Sequence, residues 1–493
     1  MNPYDVIIIG AGAAGLSAAR AARSAGRRVA LVEAGRPGGD CTHYGCVPSK
    51  ALLETARRIA GARDGAAYGF SAPVTVDFPA VMQRVRRVIA DIEQDESPEQ
   101  LARQGIELVA GWARFTSPHS VDVDGRRLTA GRFVLAIGAH AAIPPIPGLD
   151  QTPYLDNKSV FALTALPAHL LVLGGGAIGC ELAQAFRRLG AQVTLVEAAP
   201  TLLVKEEPEA AAVLTAVLAR EGVTVRTGAA VERVSRSPDG PLLHLSDGTT
   251  VSGTHLLVAV GRAPATGGLS LDVAGVELGP RRAIAVDAYL RTSADHIFAV
   301  GDCASALQFT HVGDEQGRLA AHNAFHGRGR PGVLGGQRAF DSTVLPWVTF
   351  TDPEIGRVGL SEAEAYQRYG EGARVSLVAL ADTDRGRAAG ETTGFIKLIA
   401  APRPVLKGTL FLQVVGMTAV APAGGELIAE AALAMRTKAL AGRLAQTVHA
   451  YPTHSLATRM AASRLFGSYA GKTARPAHDQ PNAAELQAVL GER

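Results

Sequence analysis

Residues Gly38 to Lys50 read Gly-Gly-Asp-Cys-Thr-His-Tyr-Gly-Cys-Val-Pro-Ser-Lys, with four residues between Cys41 and Cys46. The apolar periodic run that follows (Val47, Leu52, Leu53, Ile59) predicts a turn feeding a helix whose N-terminus is Cys46. Unpaired backbone N–H groups and the positive end of the helix dipole favour a thiolate there. Lys50 follows one turn later on the same face, and its ammonium lowers a thiol pKa further. Gly38, Gly39 and Gly45 let the backbone bend tightly and approach a partner closely. This pattern suits two-electron thiol–disulfide chemistry. The plainer alternative, two small buried hydrophobes, leaves the glycines, Pro48 and Lys50 unaccounted for.

The elements around the pair must bring it electrons. Residues 4–9 form a β-branched run suited to a buried parallel strand; Gly10, Gly12 and Gly15 follow, an alanine-rich helix reaches about Ala25, and a strand over 28–32 ends in Glu33. In that order, the glycines admit a dinucleotide pyrophosphate to a helix N-terminus and the carboxylate accepts from a ribose. The device returns: a strand over 170–173, then Gly174, Gly176 and Gly179, a helix to about Leu189, and a strand over 193–196 ending in Glu197. Gly10 to Glu33 and Gly174 to Glu197 both span 23 residues. Two dinucleotide sites are the economical reading, one for a flavin and one for a nicotinamide, since hydride must be relayed to a disulfide as an electron pair. The cysteines follow the first unit's second strand directly, which assigns FAD to the first site. Glu197 favours a free ribose 2′-hydroxyl, and only Lys205 follows nearby as a cation, which tilts the second site to NADH, with NADPH as the alternative.

At 493 residues the chain is too long for one core, and 47% hydrophobic against 19% charged residues is a globular composition with large buried sheets. A net charge of +3 argues against a nucleic-acid partner, and the paired arginines (Arg27 and Arg28, Arg57 and Arg58, Arg86 and Arg87) read as solvated helix faces. Four cysteines exclude a disulfide-stapled secreted scaffold and suggest a reducing, cytoplasmic setting. The apolar start, residues 6–19, lacks a basic flank and is too short to span a bilayer, so no membrane insertion is expected. Residues 73–104 have helical period and predict surface helices forming a packing arm. The strand over 128–137 closes at Gly138, and the proline-rich run 143–148 is a linker. Further on, strands lead into Gly261 with Arg262 and into Gly301 with Asp302, an acid placed for a ribityl or ribose hydroxyl. Cys180 and Cys303 read as packing residues. A helix from Thr310 presents its N-terminus to negative charge on a reduced flavin. After about Phe340 strand-like runs (344–350, 374–380, 395–399 and 410–415) alternate with helices in an α+β pattern without a glycine fingerprint, an assembly domain. The expected fold is therefore α/β: two Rossmann-like dinucleotide-binding domains plus an α+β C-terminal domain. Its boundaries are 1–150 (FAD), 151–270 (nicotinamide), 271–340 (central FAD segment), 341–470 (assembly) and a loosely ordered tail, 471–493.

These motifs resemble the flavin-dependent pyridine nucleotide-disulfide oxidoreductases, which include dihydrolipoyl dehydrogenase, glutathione reductase and mercuric reductase. The likeness rests on Gly10 to Gly15 with Glu33, the Cys41–Lys50 box with Gly39 just before it, Gly174 to Glu181, Ala259-Val-Gly-Arg262, Ala299-Val-Gly-Asp302, Thr310-His311 and the run Pro346 to Glu354. It implies a homodimer whose C-terminal domain is the dimerisation domain, with Cys41 as interchange thiol and Cys46 as the thiolate facing flavin. Lys50 and Glu181 would flank the flavin, and Asp302 would hold its ribityl chain. The departures concern the acceptor. Where dihydrolipoyl dehydrogenase and glutathione reductase carry a histidine and its glutamate for acid–base work on the partner subunit, this chain has Tyr451 and Leu456. A tyrosine is a poor base at neutral pH, and no carboxylate stands in place to orient a neighbour. His449 and His454 are the candidate substitutes. Mercuric reductases also lack that histidine but carry a C-terminal cysteine pair, whereas no cysteine follows Cys303 here. The expected activity is NAD(P)H-dependent reduction, through Cys41 and Cys46, of a small acceptor: a metal ion such as Hg(II) or Cu(II), a small disulfide or a quinone. The alternatives are dihydrolipoyl dehydrogenase and a slow flavin redox sensor; no resident metal is expected.

Overall fold

In the computed structural model, which describes residues 4–327, 336–403, 411–478 and 482–490, the first unit runs β1 (Tyr4–Ile9), α1 (Ala13–Ser24), β2 (Val29–Glu33), α2 (Gly39–Tyr44), α3 (Cys46–Arg63), α4 (Phe78–Glu93), α5 (Pro98–Arg103), β3 (Glu107–Ala110), β4 (Ala113–Ser117), β5 (Ser120–Val123) and β6 (Arg126–Leu135). Val6, Ile7 and Ile8 are buried on both faces of β1, which pairs in parallel with β2 and β6. The sheet order is β3-β2-β1-β6-β5-β4. Within residues 73–104 the helical stretch begins at Phe78, where Asp77 accepts from the Ala80 N–H as N-cap. One face of α4 is sequestered: Phe78, Met82 and Val85 are buried, and Phe78 packs on Phe186 at 6.2 Å between ring centroids.

The second unit adds β7 (Ala139–Ala141), β8 (His169–Leu173), α6 (Ala177–Leu189), β9 (Gln192–Val196), α7 (Pro208–Arg220), β10 (Thr224–Arg226), β11 (Val231–Ser237), β12 (Gly240–Leu245), β13 (Thr250–Ser252) and β14 (His255–Val258). Its parallel sheet has the order β10-β9-β8-β14, beside an antiparallel β11-β12-β13. β15 (Arg262–Pro264) then pairs antiparallel with β7. The chain returns to the first sheet, where β16 (Ile297–Ala299) extends β6 in parallel. α8 (Thr310–Ala324) lies against α1. Glycine allows that approach, because a Cβ on Gly317 would sit 2.2 Å from the Ala14 carbonyl oxygen.

The C-terminal region comprises β17 (Pro346–Thr349), β18 (Glu354–Gly359), α9 (Glu362–Tyr369), β19 (Arg374–Ala379), α10 (Asp384–Ala389), β20 (Phe395–Pro402), β21 (Leu412–Ala421), α11 (Gly424–Leu427), α12 (Ala429–Arg436), α13 (Ala441–Gln446), α14 (Leu456–Arg464), β22 (Arg475–Pro476) and α15 (Ala483–Leu490). Its antiparallel sheet, β17-β18-β21-β20-β19-β22, makes this the α+β part of the fold. β18 is not signalled by periodicity, since its glycines serve close packing; a Cβ on Gly356 would lie 2.3 Å from the Gly424 carbonyl oxygen. The strand expected from Leu410 is described from Leu412, with Leu410 outside the described residues.

The loosely ordered tail expected over 471–493 is corrected where it is described. Arg475 pairs with Glu362 and Glu485, and α15 packs on α7 with Val489 fully buried. Beneath it, Lys397 is 1% exposed, and its ammonium contacts Glu207 at 2.9 Å, Glu209 at 3.0 Å and Glu362 at 2.7 Å. Those ionic partners come from α7, α9 and their caps, so the pinning depends on side chains far apart in sequence. Among the described residues, no helix is long and apolar enough to cross a membrane.

Candidate active site

Cys46 opens α3, as its spacing predicts, and α8 begins at Thr310, whose hydroxyl lies 3.2 Å from the Cys46 sulfur. Two helix N-termini thus converge on one sulfur. Cys41 and Cys46 are both free thiols here. The hydrogen bond from Cys41, helped by Thr310 and the Lys50 ammonium, outweighs burial and lowers the Cys46 pKa to about 6. The same bond, with burial, pushes the Cys41 thiol well up. The pair therefore shares one proton at neutral pH, held by Cys41. Cys46 is open to the cavity although protein surrounds it at longer range.

Lys50 extends to Glu181 on α6, Nζ to Oε2 2.9 Å, and its ammonium stands 4.2 Å from the centroid of the Phe350 ring. The other Glu181 oxygen accepts the Phe350 N–H at 2.9 Å. This buried carboxylate joins α3, the second unit and the C-terminal region at one point.

The two fingerprints divide their glycines in the same way. A Cβ on Gly15 would lie 1.8 Å from the Gly10 oxygen, and one on Gly179 would lie 1.9 Å from the Gly174 oxygen. Gly15 and Gly179 therefore serve close packing and do not line the cavity, a correction to their expected direct role. Gly10 and Gly174 adopt φ of +101° and +110°. Gly12 and Gly176, in contrast, face space that a side chain would fill. Glu33 accepts from Ala11 N and Gly35 N, both at 2.7 Å. Glu197 repeats this with Gly175 N at 2.6 Å and Ala199 N at 2.8 Å. Each acid thereby stitches its strand end to its glycine loop, with lone pairs remaining for a ribose. These two cradles open on one continuous cavity of about 2050 Å³ that also contains Cys41, Cys46, Lys50, Gly39, Gly138, Gly261, Gly301 and His311. A donor-rich helix N-terminus and a bare glycine at each end fit two dinucleotides.

Between the cradles, Arg262 sits between two carboxylates, Asp40 at 2.5 Å and Asp302 at 3.2 Å. Burial raises the Asp302 pKa, Arg262 opposes that, and Asp40 adds to it. His311, stacked on Phe309 at 5.6 Å, is held towards its neutral form by burial.

The C-terminal candidates lie outside this cavity within the protomer. The expectation that no carboxylate orients the histidines is overturned. His449 Nε2 meets Glu430 at 3.0 Å while its Nδ1 meets the Thr447 carbonyl at 3.0 Å, so both ring nitrogens are engaged. His454 Nε2 meets Glu391 at 2.8 Å. Tyr451 is exposed and donates to Asp384 at 3.1 Å, and that bond raises its pKa, which leaves still less of it ionised to act as a base at neutral pH. Sequence reasoning missed Asp40, Asn157 and these three acids, because their partners lie between 19 and 222 residues away. Among the described residues, the group with metal-ligand spacing is Glu209, Glu362 and Glu485, and Lys397 and Arg475 already neutralise it.

The family model described as pyridine nucleotide-disulphide oxidoreductase matches residues 4–317, and its dimerisation domain matches residues 345–462. A mercuric reductase from Streptomyces lividans is 37% identical over 93% of this chain and 95% of its own length. A dihydrolipoyl dehydrogenase from Thermus scotoductus is 33% identical over 94% and 98%. Among solved structures, a Cu(II) complex of the HOCl-induced flavoprotein disulfide reductase RclA from Escherichia coli superposes with a TM-score of 0.82 at 30% identity, covering 94% of this chain and 99% of that one.

Proposed function

Since this chain belongs to the pyridine nucleotide-disulphide oxidoreductase family, NAD(P)H-dependent flavoprotein enzymes with a disulfide redox centre, we propose that it delivers electron pairs from NADH through Cys41 and Cys46 to a metal ion such as Hg(II), which takes one pair, or Cu(II), two of which share a pair. The observation that carries the reading is the asymmetric thiol pair, with Cys46 ionised near pH 6 and Cys41 protonated, on a chain whose usual acid–base position is occupied by Tyr451. Soft ions want thiolates and need no proton taken from a leaving thiol. Small disulfides and quinones remain acceptors of the same electron pair.

When bound, FAD supplies a two-electron relay between nicotinamide and disulfide. The protein's own groups do the rest. The first glycine unit (1–150) and the central segment (271–340) hold the flavin through Gly10, Gly12, Glu33, Gly39, Gly138, Gly301 and Asp302. The second unit (151–270) holds the nicotinamide nucleotide through Gly174, Gly176, Glu197 and Gly261, and Glu197 disfavours the 2′-phosphate of NADPH. Lys50 and Glu181 orient the region where the two cofactors meet, Cys46 faces the flavin, and Cys41 faces the acceptor. The dimerisation domain supports a homodimer, and a reducing cytoplasm suits the free thiols.

The test is an anaerobic titration of the FAD-loaded enzyme with NADH and, separately, NADPH, followed by Hg(II), Cu(II), glutathione disulfide and a benzoquinone. The first equivalent of NADH is expected to reduce the disulfide and raise the long-wavelength thiolate-to-flavin absorbance, a second to bleach the flavin, and the metal ions to reoxidise the enzyme quickly. Bleaching by neither nucleotide ends the proposal. The Thermus relative favours a second reading, dihydrolipoamide oxidation, which requires rapid turnover of that dithiol despite Tyr451.

A further inference from the structure

The short helix α2, which carries Cys41, is held by tethers at both ends. Asp40 Oδ2 accepts from Arg262 Nη2 at 2.5 Å and from Asn157 Nδ2 at 3.1 Å, and the same Asn157 amide reaches the Tyr44 carbonyl at 3.4 Å. In the middle, Thr42 donates to Glu96 at 2.9 Å, and His43 Nε2 meets the Pro37 carbonyl at 2.7 Å. None of these tethers involves α3, which carries Cys46. Six residues are too few to sustain a helix alone. The backbone on one side is left-handed at Gly38 and Gly39, with φ of +100° and +61°, so α2 stands where its tethers put it. Arg262 cannot swing away freely, since it also donates to the Ala139 carbonyl at 2.9 Å and pairs with Asp302.

We infer that Asp40 is a positioning residue for the redox pair: through Arg262 and Asn157 it holds Cys41 within bonding reach of Cys46 and so sets the dithiol–disulfide equilibrium. The inference rests on the proposal above that these two cysteines are the redox centre. A disulfide demands Cβ separations of about 3.5–4.5 Å. A loosened α2 lowers the effective concentration of one sulfur for the other and favours the dithiol. In exchange with dithiothreitol near neutral pH, the Cys41–Cys46 bond breaks and takes up two electrons and one proton, which Cys41 holds. The reagent's two thiols lose two electrons and two protons and close to a cyclic disulfide, the second proton going to solvent.

The experiment equilibrates the FAD-loaded enzyme with graded ratios of reduced to oxidised dithiothreitol, traps thiols with iodoacetamide and reads the fraction by mass spectrometry. Asp40→Asn and Asn157→Ala should each move the midpoint about tenfold towards the dithiol. The double variant should fall short of the sum, because Asn157 donates to the Asp40 carboxylate. FAD content serves as the folding control, and either single variant suffices if the other does not fold. FAD-loaded variants with midpoints within about twofold of the parent, or strictly additive shifts, overturn the inference. A parent enzyme that forms no Cys41–Cys46 disulfide in the oxidised reagent overturns the redox reading instead.

Discussion

Cys46 carries one sulfur and three stabilising influences: the Cys41 thiol, the Thr310 hydroxyl and the Lys50 charge. Its pKa is lowered, so the thiolate exists above the folded value and is lost as pH falls through it. In the two-electron-reduced enzyme, the long-wavelength thiolate-to-flavin absorbance should therefore disappear with a midpoint near pH 6. Cys46→Ser should abolish it with FAD still bound, and Lys50→Met should move the midpoint upward. An absorbance that ignores pH between 5 and 8 would remove the thiolate assignment. Tyr451 titrates the other way, raised by Asp384. Tyr451→His should increase dihydrolipoamide turnover by about tenfold or more if a missing base is what limits it. Unchanged turnover would favour the dehydrogenase reading with another base. At the nucleotide end, Glu197→Ala should narrow the NADH-over-NADPH preference in kcat/KM by roughly tenfold, which is about 1.4 kcal/mol.

At the scale of elements, the paired glycine loops separate packing from binding. Gly179→Ala places a methyl group against the Gly174 carbonyl and should weaken both α6 packing and nicotinamide binding while FAD stays bound. Gly176→Ala meets no atom of the protein, so its thermal midpoint should stay within a few degrees while the KM for NADH rises. Equal destabilisation by the two would contradict this division. The Lys397 cluster makes a stronger demand on stability. Removing the ammonium leaves three carboxylates facing one another with Arg475 as their remaining cation. Lys397→Met should cost about 3–5 kcal/mol, measurable as a lower urea midpoint, and should loosen α15 enough to speed proteolysis near the C-terminus.

Over the whole molecule, local signals carried far because they are local in origin. The strand–glycine–helix–strand–acid order, the helix N-terminus at Cys46 and the α+β pattern after Phe340 each depend on backbone sterics or side-chain period over fewer than about thirty residues. From them, residue types alone placed the two strand–glycine–helix–strand units, Cys46 at a helix N-terminus and Lys50 one turn on. The tertiary structure decided what depends on distant partners: Arg262 lies 222 residues from Asp40, Glu391 lies 63 from His454, and Glu207 lies 190 from Lys397. Pinning of the tail, satisfaction of His449 and clamping of α2 are all of this second kind. A carboxylate's partner is set by where the sheets bring side chains together, and no periodicity along the chain encodes that meeting.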